Sequence, residues 1–138
     1  MSTLRTNALE GMDAKNSITI VAGAGNITTT NVQEGLCKAW LRADADGATL
    51  LDSFNMTSIT DNGTGDYTPT FANDFSNALY SLTATAQHGG GDNNDSRIMT
   101  QQDRNVTAGA SRIRRTTANG ASNENDGDYN VSVHGDLA

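Results

Sequence analysis

Residues 52–71 constrain this chain most, because two alternating runs flank a segment that almost has to reverse direction. Phe54 and Met56 alternate with Ser53, Asn55 and Thr57, the two-residue period of a half-buried strand. Tyr67, Pro69 and Phe71 alternate with Thr68 and Thr70 in the same way. Between the runs, Asn62, Gly63 and Gly65 accept positive φ at little steric cost. The pattern predicts a β-hairpin. Met56 and Ile59 fall three apart, so the parity slips and a β-bulge or an early strand end is expected there.

The same period recurs along the chain. Ala39, Leu41 and Ala43 share one face, opposite Lys38, Trp40 and Arg42. Tyr80, Leu82, Ala84 and Ala86 alternate with Ser81, Thr83 and Thr85. A strand with mostly polar faces is expected over 97–104 and a further strand around 111–116, and a terminal strand sets Tyr129, Val131 and Val133 against Asn130, Ser132 and His134. Short strands at this spacing predict an all-β fold, a compact antiparallel sandwich over 36–138. The polar loops 88–95 and 118–128 are expected to be exposed, the first of them mobile. Residues 1–35 read as an extended arm that docks on a partner, with a strand at 17–21, a turn at 22–26 and one helical turn capped by Asn31.

Leu, Ile, Val and Phe number only 23 of 138 residues, below the level of roughly 20% at which charged chains tend to disorder. Alternating runs argue against disorder, so the expectation is oligomerisation, in which subunit contacts supply the missing burial. A net charge of −7 argues against a nucleic-acid partner. Arg112, Arg114 and Arg115 form the one basic cluster, which reads either as an anion contact or as charge on a strand edge; the edge reading is favoured. Cys37 is the only cysteine, so no intrachain disulfide framework exists. No secretory leader is expected, and no run approaches the roughly 20 apolar residues of a membrane helix, so no membrane insertion is expected.

No catalytic residue, cofactor or metal site emerges, and the chain reads as a non-enzyme. Asp44-Ala45-Asp46-Gly47 resembles the start of a calcium loop, but the twelfth position is Asn55 and not Glu; a turn explains it better. The oxygen-rich 92–95 and 125–128 runs are read as solvated loops in preference to cation sites. His88, His134 and Cys37 lack the spacing of a zinc set, and Gly89-Gly90-Gly91 has no phosphate-loop frame. Trp40, between Lys38 and Arg42, suits either a sugar-stacking platform or a subunit contact, and the contact is favoured.

Four segments carry a resemblance: Met1-Ser2-Thr3-Leu4-Arg5, Glu34-Gly35-Leu36-Cys37-Lys38-Ala39-Trp40, the hairpin from Ser53 to Tyr67, and Tyr129-Asn130-Val131-Ser132-Val133-His134-Gly135. Together they resemble small fibre-like virion structural proteins of tailed bacteriophages of marine type. Cys37 replaces a more usual Ala, and Leu41-Arg42 departs from the aliphatic-polar run expected after the Trp. The resemblance implies a non-enzymatic virion component, made in the host cytoplasm, homotrimeric and tail-fibre-like. It implies an N-terminal arm docked on a tail adaptor, a nozzle or the capsid, and a jelly-roll-like β-sandwich head. The alternatives are a fibre module that binds a host-surface glycan receptor, or a capsid decoration (head fibre) protein. The candidate oligomer and attachment residues are Leu4, Ile18, Ile20 and Trp40. The candidate receptor-facing loop residues are Asp92, Asn93, Asn94, Asn123 and Asn125, chosen for loop polarity and not carried over from the resemblance.

Overall fold

The computed structural model describes residues 19–21, 29–31, 35–44, 46, 48–87, 97–117 and 127–138. The chain divides into two compact units, Met1–Leu36 and Cys37–Ala138. In the first, β1 (Thr19–Val21) pairs antiparallel with β2 (Thr29–Asn31), with Ile20 opposite Thr30. Asn31, the expected cap, closes β2; Gly35 beyond it is helical, and residues 32–34 of the expected turn lie outside the described residues. The expected arm residues Leu4 and Ile18, and the turn at 22–26, lie outside the described residues.

The second unit is built from two four-stranded antiparallel sheets. One sheet has the order β4 (Leu50–Phe54), β3 (Ala39–Ala43), β10 (Tyr129–His134), β7 (Ser81–Ala86). The other has the order β5 (Met56–Asp61), β6 (Asp66–Phe71), β9 (Ser111–Thr117), β8 (Arg97–Val106). β3 with β4, β5 with β6 and β8 with β9 are sequence neighbours, and β3 with β10, β10 with β7 and β6 with β9 join strands distant in sequence.

Alternation builds the core between the sheets. Ala39, Leu41 and Ala43 of β3, and Tyr129, Val131 and Val133 of β10, meet Tyr67 and Phe71 of β6 and Ile113 of β9. Tyr67 stacks on Tyr129 across the two sheets, with ring centroids 5.0 Å apart. Phe71, Phe75 and Tyr80 form a second cluster, at centroid distances of 4.7 to 5.5 Å. All three tyrosines of the chain are inside. Counting Leu, Ile, Val and Phe alone therefore understates this core, since a buried aromatic removes about 150–250 Å² from water.

The predicted hairpin forms over β5 and β6, with the expected register shift between Met56 and Ser58. Phe54 and Met56 do not share a strand, however. The chain breaks at Asn55, whose φ of 55° is left-handed, and passes from one sheet to the other. Pro69 sits within β6, opposite Ile59. It has no N–H to give, and pairing between β6 and β9 runs through Asp66 and Tyr67 and resumes only as the bridge Thr70–Ala110.

The two ends of this unit differ. At one end the chain enters: the Lys38 amide donates to the Val133 carbonyl, and the Asn55 side chain donates to the Lys38 carbonyl. At the other end lie the 44–49 and 62–65 turns and the stems of both long polar connections. Tyr129 of β10 stands opposite Ala43 and Ala86, the Gln87 amide donates to the Asp128 carbonyl, and the Arg115 amide donates to the Gly65 carbonyl. Arg97 pairs with Thr117. Two turns and the stems of both long connections thus gather at the end opposite the chain's point of entry.

Candidate functional site

The gathered end is organised by charge. Asp66 opens β6 and is 3% exposed. Its carboxylate accepts from Arg112 Nε and Nη2, both at 2.7 Å, and from Arg114 Nε at 3.1 Å. Burial pushes the Asp66 carboxyl up, but the hydrogen bonds and charges of the two arginines outweigh it and hold it below the usual range. The same contact raises the Arg112 guanidinium. Arg112 and Arg114 stand two apart on β9, so they share the face that Asp66 shares. The edge reading of this cluster is therefore corrected. β9 is paired on both sides, by β6 and β8, and the arginines answer an internal carboxylate.

Arg115 takes the opposite face and is 4% exposed. Its Nη2 donates to the Gln87 carbonyl at 3.0 Å, tying β9 of one sheet to the end of β7 in the other. A Cβ at Gly127 would overlap this guanidinium, so glycine lets the chain pass close by it. Outside, Arg42 Nη2 reaches Asp128 Oδ2 at 3.4 Å and Gln87 Oε1 at 3.5 Å. The stems of both polar connections are thus held by arginines from two strands.

The two short turns are closed by their own side chains. Asp46 accepts from the Ala48 and Thr49 amides, both at 3.0 Å, and from the Thr49 hydroxyl at 2.8 Å. The Thr49 hydroxyl, then the two amides, lower the Asp46 carboxyl, with burial opposing weakly. These bonds make an Asx turn, as expected of the Asp44-Ala45-Asp46-Gly47 run. Among the described residues, no three His, Cys, Asp or Glu side chains gather as a metal set.

Trp40 is 37% exposed and lies on the outer face of its sheet. Phe54, 53% exposed, stands opposite it on β4 and Ser132 opposite on β10, with Thr83 next in the row. An aromatic pair thus meets a line of hydroxyls. Cys37 Sγ donates to the Ala39 carbonyl at 3.1 Å and is half-buried. Ile20 lies in β1, in the other unit from Trp40. Asp92, Asn93, Asn94, Asn123 and Asn125 lie outside the described residues; the structure places only their stems together.

Sequence reasoning missed Asp66 altogether. The available signal was the Arg-x-Arg spacing on one strand face beside a turn that ends in Asp. Among known proteins, no family model, curated protein or solved structure matches this chain.

Proposed function

We propose that this chain is a structural component of a bacteriophage particle, fibre-like, docked through residues 1–35 and presenting the 36–138 sandwich as a head. The observation that carries the reading is the polarity of the second unit. Its chain enters at one end, and two turns and the stems of both long connections gather at the other, braced by Asp66, Arg112, Arg114, Arg115 and Arg42. A head held at one end and read at the other would use the braced end as its distal face. The jelly-roll-like description of the head is kept only as far as two facing antiparallel sheets. In this reading the heads associate as a homotrimer, with Trp40 at the contact, and the arm meets a tail adaptor, a nozzle or the capsid.

The second reading is a module that binds a host-surface glycan. The Trp40–Phe54 pair beside Ser132 and Thr83 favours it, because sugars stack on rings and hydrogen-bond to flanking hydroxyls.

Deleting residues 1–35 tests the main reading. The expected outcome is a folded β unit that no longer enters phage particles assembled in its presence. Armless protein found in purified particles at the full-length level would sink the division of roles. Glycan-array binding lost on Trp40→Ala, with particle incorporation intact, would favour the second reading.

A further inference from the structure

We propose that Asn62 is a self-modification site, a deamidating Asn–Gly pair whose reaction the native hairpin holds back. In the reaction, the Gly63 backbone nitrogen attacks the Asn62 side-chain carbonyl carbon. The new C–N bond closes a five-membered succinimide, the Cγ–Nδ2 bond breaks, and the nitrogen's proton leaves with Nδ2 as ammonia. Water then opens the ring at either carbonyl, giving aspartate or isoaspartate. Nothing beyond water is consumed.

Both reactants stand at the surface of the 62–65 turn, where Asn62 and Gly63 are exposed. Gly63 has φ of +119°, and a Cβ built on it would meet nothing within 4 Å, so no neighbouring atom crowds the turn on that side. The restraint comes from hydrogen bonds. Asn62 Nδ2 donates to Thr68 Oγ1 at 2.8 Å and to Asp66 Oδ1 at 3.4 Å, which opposes the swing of the side chain over its own peptide. The Gly63 N–H is already given to Asp61 Oδ1 at 2.7 Å. The backbone bonds Asn62 N to Asp66 O, 2.8 Å, and Asp66 N to Gly63 O, 2.9 Å, lock the turn.

The product matters because of where it forms. Isoaspartate lengthens the backbone inside the ring closed by the Asn62 N to Asp66 O bond, and aspartate sets a second carboxylate beside Asp66, whose arginines are already engaged. Deamidation therefore loosens the charged end of the sandwich as the protein ages.

The test incubates the full chain in mildly alkaline buffer, native and in urea, and follows Asn62 by peptide mapping and isoaspartate labelling. The chain's other Asn–Gly pair, Asn119–Gly120, is read in the same digest. Native Asn62 is expected to convert at least about tenfold more slowly than in urea, since two or more restraining bonds must break. Thr68→Val, which removes the acceptor and keeps the shape, is expected to speed native conversion at Asn62 about 2–10-fold, the equivalent of one net hydrogen bond. The rate at Asn119 should stay unchanged. Equal rates at Asn62 in the native protein and in urea would overturn the proposal, and that comparison needs no variant to fold. No acceleration in Thr68→Val, or equal acceleration at both Asn–Gly pairs, would overturn it too.

Discussion

Asn55 turns the chain from one sheet to the other, and substituting it separates two contributions that the structure superimposes. Its left-handed backbone, φ 55°, costs a residue with a Cβ roughly 1–2 kcal/mol, which Asn tolerates and Gly escapes. Its side chain closes the corner. Oδ1 accepts from the Asn73 amide at 2.7 Å and from Asn73 Nδ2 at 3.0 Å, while Nδ2 donates to the Lys38 and Asn73 carbonyls, both at 3.2 Å. Each atom is shared between two partners, so the set is worth about two ordinary bonds, or about 1–3 kcal/mol. Asn55→Gly should therefore destabilise by about 1–3 kcal/mol through the lost side-chain bonds, its relief of left-handed strain offset by the greater entropy of its unfolded chain. Asn55→Ala loses the same bonds and adds backbone strain, so it should fall about 1 kcal/mol lower still. Urea unfolding followed by Tyr and Trp fluorescence gives both numbers, as a midpoint shift of about 1 M at a slope near 2 kcal/mol/M. Asn55→Gly as stable as the parent would mean the side chain does not hold the corner. Asn55→Ala no worse than Asn55→Gly would mean the left-handed turn is not there.

Asp66 links stability to pH. Its native carboxyl lies below the unfolded value, so its contribution is full above about pH 3.9 and is lost as pH falls through the native value. Asp66→Asn should lower the urea midpoint at pH 7 and flatten the loss in acid; an unchanged acid limb would refute the ion cluster. Tyr67→Leu and Tyr129→Leu, alone and together, should show a coupling of about 0.5–1.5 kcal/mol from the cross-sheet stack, and strict additivity in calorimetry would deny it. If Trp40 anchors the trimer of the proposed reading, Trp40→Ala should move the light-scattering mass from three chains toward one while circular dichroism stays unchanged. A mass of three chains in the variant would take Trp40 out of the contact.

The all-β class and most strands were legible because side-chain alternation is local: a two-residue period places Ala39, Leu41 and Ala43 on one face whatever lies beyond them. The Asn–Gly turn was legible for the same reason, since it depends on backbone freedom at a few adjacent residues. Pairing is another matter. Phe54 and Met56 continue one alternating pattern, yet they belong to different sheets, because Asn55 can find Lys38 and Asn73 only after the strands around it have packed. Arg112 and Arg114 could be placed on one face, but their carboxylate is 46 and 48 residues away along the chain. The tyrosines, amphipathic in isolation, went inside because the two sheets offered each ring an apolar partner, Tyr67 against Tyr129 and Tyr80 against Phe71 and Phe75. Period and turn chemistry are properties of neighbours in the chain; burial, charge pairing and the choice of sheet are properties of neighbours in space.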